Sequence, residues 1–189
     1  MKATAAVSVL TTISGALAAY VSVDQVAADN VVYINSATDF CMIFPRYPGM
    51  NVGDSEYTGG TQTFCTNPYN AALQGTLPQN FWSQVAYVTG VGATGQNYVQ
   101  LTGCINAGST DHLNAADSGG QYDSNGGQAL AGNPQGSACL GFNSYVELLE
   151  PAGNRACLKC CNDPADCPVN MDTDGCQAVI PGNYFGCTN

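Results

Sequence analysis

Ten cysteines stand in a chain of 189 residues, and six of them crowd between Cys157 and Cys187. In an exported chain an even number of thiols reads as a disulfide framework. All ten are therefore expected in bridges: Cys41, Cys65, Cys104, Cys139, Cys157, Cys160, Cys161, Cys167, Cys176 and Cys187. The pairing stays open at this level. One pair of neighbours does constrain it. On an extended backbone successive side chains point to opposite sides. Cys160 and Cys161 should therefore bridge to two different partners and lock the tail to the main sheet.

Export is read from the N-terminus. Lys2 precedes an uncharged apolar run over residues 3–17, and Ala16-Leu17-Ala18 gives the small-x-small cleavage pattern. The run is shorter than the roughly 20 residues that span a bilayer. Residues 1–18 are thus expected to be a signal peptide, and the chain to be extracellular. The mature polypeptide is sized for one domain. The expected division is a β-rich domain over 19–156 and a cysteine-rich subdomain over 157–189, packed on the same domain. The latter is too poor in apolar residues to stand by burial alone.

Charge narrows the partners. Fourteen acidic residues oppose four basic ones, a net charge of −10. Such a chain repels phosphate backbones and anionic lipids, so neither nucleic acid nor membrane is expected as a partner.

The apolar pattern is that of strands. Residues 31–34, 40–44, 85–89, 98–102 and 145–149 are short runs rich in β-branched and aromatic side chains, bounded by Gly, Pro and Asn. No helical stripe is sustained after residue 18. A single helical turn is expected over residues 79–82, after Pro78. The fold class is mainly β: an antiparallel sandwich or barrel, disulfide-stabilised, with a small cysteine-rich C-terminal extension. Asn97-Tyr-Val-Gln-Leu and Ser144-Tyr-Val-Glu-Leu look alike, as two strands of one sheet can. Residues 106–137 read as a long glycine-rich surface loop with a hairpin turn at Asn125-Gly126-Gly127.

Several constellations bear on chemistry. Cys157-x-x-Cys160 has the spacing of a redox motif, but an oxidising compartment and eight further cysteines argue for structural bridges. Zinc needs thiolates, which oxidise first outside the cell, so no metal is expected there. Asp172-Thr-Asp174-Gly175 opens like a calcium loop, with Asp163 and Asp166 nearby, yet Cys176 interrupts it and no Glu closes it. His112 is the single histidine. Its neighbour Asp111 would not face it along a strand, and no Gly-x-Ser-x-Gly elbow exists. A solvated histidine is the expectation. Carboxylate pairs for glycoside hydrolysis are Asp54 with Glu56, and Glu147 with Glu150. Glu147 would share a strand face with Tyr145 and Leu149, where Arg155, Lys159 or water could satisfy it. Trp82, Tyr47, Tyr57, Tyr69 and Tyr122 are candidates for stacking on sugar rings.

Phe40-Cys-Met-Ile-Phe-Pro, Gly53-Asp-Ser-Glu, Gly119-Gly-Gln-Tyr-Asp, Tyr145-Val-Glu-Leu-Leu-Glu-Pro, Arg155-Ala-Cys-Leu-Lys-Cys-Cys-Asn-Asp-Pro-Ala-Asp-Cys-Pro and Val179-Ile-Pro-Gly-Asn-Tyr together resemble a family of small secreted cysteine-rich fungal proteins. The resemblance implies a fungal source and an extracellular destination, and it supplies no catalytic residues or cofactor. The expected role is structural or interactive, as a wall component or effector-like protein. A carbohydrate-binding module and a carboxylate-pair enzyme are the alternatives. Cell-wall polysaccharide or an extracellular protein is the expected partner, with self-assembly open through sheet edges.

Overall fold

A computed structural model describes residues 27–125, 134 and 136–187. The signal-peptide stretch 1–18 and Gly126-Gly127 of the expected turn lie outside these residues. Ten strands run in chain order: β1 (Val31–Ser36), β2 (Asp39–Pro45), β3 (Thr61–Cys65), β4 (Gly75–Thr76), β5 (Trp82–Val91), β6 (Asn97–Ile105), β7 (Gly120–Asp123), β8 (Ala138–Cys139), β9 (Ser144–Glu150) and β10 (Arg155–Cys161). They form two five-stranded sheets, ordered β4-β3-β2-β1-β8 and β5-β6-β10-β9-β7. The second is antiparallel throughout. The first is antiparallel at its centre and takes parallel pairings to β4 and β8.

All five strand runs expected from the sequence lie within observed strands. The helical turn expected at residues 79–82 does not form. The Phe81 amide instead donates to the Pro78 carbonyl at 3.0 Å, closing a β-turn, and Trp82 opens β5. The glycine-rich stretch is also more than a loop. It supplies β7, whose Tyr122 is fully buried.

β10 explains the cysteine crowding. It is the middle strand of its sheet, paired along its whole length with β6 and β9. Side chains alternate across a strand. Ala156, Leu158 and Cys160 enter the core between the two sheets. Cys157 and Cys161 enter a second core on the opposite face, with Val146, Leu148, Val179, Ile180 and Tyr184. The polypeptide after Cys161, with its one-turn helix α1 (Cys176–Val179), covers that face as a third layer. The expected division at 156/157 therefore falls inside a strand. β10 belongs to the sandwich, and the extension begins after Cys161.

The bridges obey the same alternation. Cys160 pairs with Cys139, tying the two sheets together, while Cys161 pairs with Cys167 and Cys157 with Cys176, tying down the third layer. Cys104 of β6 holds Cys187 near the C-terminus. Cys41 and Cys65 face each other across β2 and β3. The Cys157-x-x-Cys160 spacing thus joins two different layers and forms no dithiol pair. Side chains help the third layer as well: Gln100 Nε2 donates to the Pro181 carbonyl at 3.1 Å and Thr102 Oγ1 to that of Asn183 at 3.0 Å.

The two look-alike strands flank β10 in one sheet, but they are not equivalent. Val99 and Leu101 of β6 face the inter-sheet core, whereas Val146 and Leu148 of β9 face the outer core. Identical letters in opposite orientation are tolerated because both faces are dry.

Replacing Cys139 and Cys160 together by Ala should cost about 2–4 kcal/mol in denaturant unfolding, because the open chain regains its loop entropy. An unchanged urea midpoint would show that the two sheets do not depend on this bridge. Peptide mapping without reduction should return the five pairings above.

Candidate functional site

A concave surface of mixed chemistry lies at the seam between the sheets. A hollow of about 460 Å³ has Phe40, Leu77, Phe81, Trp82 and Val85 as its apolar floor and Thr38, Thr66, Asn67 and Gln79 as its polar side chains. No lining residue is ionisable. The Pro78 turn brings Phe81 beneath Trp82, with ring centroids 5.2 Å apart and planes at 66°. Phe40 from β2 lies 6.2 Å from the indole at 57°. Phe81 is buried and fixed by Phe44 at 5.4 Å, so the indole rests on a rigid base. These rings are mutually tilted and form a pocket rather than a flat platform.

The other aromatic candidates do not gather here. Tyr47 and Tyr57 stand on the loop between β2 and β3, 52% and 50% exposed, and Tyr69 stands between β3 and β4 at 50%. Tyr122 is corrected outright. It lies within the core on β7, and its hydroxyl meets Ser55 Oγ at 2.6 Å. The flanking glycines that look loop-like in sequence feed an edge strand. Phe40, Leu77 and Phe81 of the seam are not legible in the sequence as site residues, because a buried apolar strand or turn residue has the same signature as a pocket floor.

His112 is not simply solvated. Its Nδ1 lies 2.9 Å from the Pro45 carbonyl, and its ring packs on Phe64 at 4.5 Å. Nε2 is 3.7 Å from Asp111. Ser109 and His112 line a separate hollow of about 520 Å³, but Ser109 Oγ is buried and makes no hydrogen bond, so no nucleophile–base contact is formed.

The carboxylates are occupied by structural work. Asp54 lies in a 3-10 turn (Gly53–Ser55) and accepts from Asn51 Nδ2 at 3.0 Å, so Asp54 and Glu56 do not share an extended face. Glu150 accepts from Arg155 Nε and, at 2.8 Å, from the Cys176 amide that starts α1. Gly175 precedes that amide at φ +78°, and a Cβ there would lie 2.6 Å from the same carboxylate oxygen. Glu150 and Asp172 do line one small hollow of about 220 Å³. Both oxygens of Glu150 are engaged, and Asp172 accepts from Gln121 Nε2 at 2.8 Å. That same amide donates to Asp123 at 2.9 Å, and burial raises the Asp123 carboxyl above its ordinary value. Asp163 caps its own turn, accepting from the Ala165 amide at 2.9 Å and from Thr94 Oγ1 at 2.5 Å. These hydrogen bonds lower its carboxyl, the Thr94 contribution being the largest. Of the calcium-like set, Asp172 is thus taken by an amide and Asp163 by its own turn.

Glu147 is the exception in kind. It is fully buried between the sheets, and neither Arg155 nor Lys159 reaches it. Its two oxygens accept from the Ile43 amide at 3.1 and 3.0 Å. Burial pushes the carboxyl far above its usual range, and the Ile43 hydrogen bond only partly opposes this. The backbone supplies the reason for the contact. The Cys41–Cys65 pair has its Cα atoms only 4.0 Å apart, the geometry of a pair without ladder hydrogen bonds. Two residues on, the Ile43 amide therefore points towards β1. The β1–β2 ladder has by then ended, its last pair being Tyr33 with Cys41. Thr63 Oγ1 binds the freed Val31 amide and carbonyl at 2.8 and 2.9 Å, and Glu147 takes Ile43.

No protein-family model, no curated protein and no solved structure matches this chain. The fold defines its class: a mainly β, two-sheet sandwich with five disulfides and a cysteine-rich covering layer. Among the described residues no helix is long and apolar enough to cross a membrane.

The raised Glu147 carboxyl has a signed consequence. Above about pH 4.3 the unfolded chain releases this proton while the folded chain keeps it, so stability falls as pH rises towards the folded-state value. Glu147→Gln keeps an oxygen for Ile43 and removes the proton. The stability of the native protein minus that of the variant should decline with pH above that point, by up to about 1.4 kcal/mol per unit. Urea unfolding between pH 4 and pH 8 measures it, and a flat difference would refute the assignment.

Proposed function

We propose that this chain is a secreted, non-catalytic interaction protein that holds a neutral hydroxylated ligand, such as the end of a cell-wall polysaccharide, in the seam groove at Trp82. The observation that carries this reading is the lining of the groove: an aromatic and aliphatic floor, amide and hydroxyl groups beside it, and no ionisable side chain. Sugar rings offer an apolar face to an indole and hydroxyls to amides. A glycosidase requires two carboxyl groups flanking the bond it cleaves. Here the candidate carboxylates are buried, bridged or on the loop between β2 and β3. A rigid scaffold suits such a role, since a pre-formed pocket loses little entropy on binding. Five disulfides also support an extracellular working place.

Mature oxidised protein should be retained on at least one of insoluble chitin, β-glucan or cellulose, with no reducing sugar released. Trp82→Ala should weaken retention by about tenfold or more, a loss of roughly 1.4 kcal/mol. Tyr47→Ala, outside the groove, should leave it unchanged. Sugar release would overturn the non-catalytic reading. Retention that survives Trp82→Ala would move the site elsewhere.

A further inference from the structure

The four sheet edges are not alike. β4 and β8 are two residues long and β7 is four, but β5 has ten. Exposed edges present unpaired amides and carbonyls, and proteins blunt them by shortness, charge, proline or bulges. Three edges here are blunted by shortness. β5, Trp82-Ser-Gln-Val-Ala-Tyr-Val-Thr-Gly-Val91, carries no charge and no proline in a chain of net charge −10. Its one irregularity lies at the start, between Trp82 and Gln84. Among the described residues it is paired on one side only, with β6.

Its far half is also apolar and open. Tyr87 and Val88 are each 39% exposed and Val91 is 63% exposed. Tyr87 and Val91 line a groove of about 530 Å³ with Ile34 and Phe142, where the sandwich leaves the end of β5 uncovered. Ten residues at about 3.4 Å each give an edge about 34 Å long.

We propose that β5 pairs, antiparallel and about a two-fold axis, with β5 of a second copy of this chain. The lack of charge on the edge selects this occupant, although the whole molecules repel. A partner steered by basic groups would be met by carboxylates along the edge, and β5 has none. A copy brings the same uncharged strand of the same length. The antiparallel sense also separates the acids at the β5–β6 turn. Asp163 there holds Thr94, and Asp166 lies against Gly92. In the antiparallel pair this turn meets the Ser83–Gln84 end of the copy and not its own counterpart. The contact is isologous and closes. It joins two five-stranded sheets and leaves only the short β7 edges outside, so it yields a dimer and no open fibre.

Sedimentation of the mature oxidised protein from about 1 µM to about 1 mM should show a monomer–dimer equilibrium. Raising the salt should tighten it by screening the mutual repulsion. In the dimer, amide exchange should slow at alternate residues of β5. Val88→Lys, at an exposed position, should weaken the dimer by at least about tenfold. Thr89→Lys on the opposite face should do the same if Val88→Lys fails to fold, folding being judged by the disulfide map. Tyr69→Lys, away from this sheet, should have no effect. A protein monomeric at about 1 mM, open-ended assembly, or a dimer indifferent to lysine at 88 and 89 would each overturn the proposal.

Discussion

The structure depends on a single strand that enters a packed core on each of its faces. β10 sits between β6 and β9, with the inter-sheet core on one face and the third layer over Cys157 and Cys161 on the other. Its inner residues seal the sandwich, and its outer residues must be covered by something else. A segment of this length buries too little to hold itself there. Cystine supplies the difference, because a bridge removes unfolded-state entropy without needing area. The crowded cysteines are the consequence of having a third layer that burial alone could not retain.

A second constraint comes from the place where β1 leaves β2. Each amide released inside the sandwich must find an acceptor, since an orphaned buried donor costs about 1–3 kcal/mol. Thr63 satisfies Val31, and Glu147, reaching across from the other sheet, satisfies Ile43. The acceptor from the opposite sheet fixes how the two sheets are set against each other. Its cost is a carboxyl held far from its ordinary titration range. That buried acid serves the fold, and its inaccessibility removes it from any surface chemistry.

The seam groove and the open far half of β5 share one strand. Its start, at Trp82 and Val85, walls the seam groove, and its far half projects past the cover of the first sheet. The strand is uncharged throughout, so in both regions β5 can offer shape, apolar contact and hydrogen bonds but no ion pair.

The class of fold is legible in the residues alone. Runs of β-branched and aromatic side chains specify strands because burial of one face sets a period of two, and five strands are reached this way. The parting of Cys160 and Cys161 is legible too, since neighbours on a strand cannot face the same way. β3, β7 and β10 are not: threonine, glycine and cysteine carry weak strand signals, and pairing with neighbours makes them strands. The disulfide pairing, the role of Glu147, the burial of Tyr122 and the pocket under Trp82 emerge only when the layers pack. Each depends on which face of a strand meets which layer, and that is set by residues distant in sequence. Glu147 lies 104 positions from the amide it binds, a separation across which no local pattern carries information.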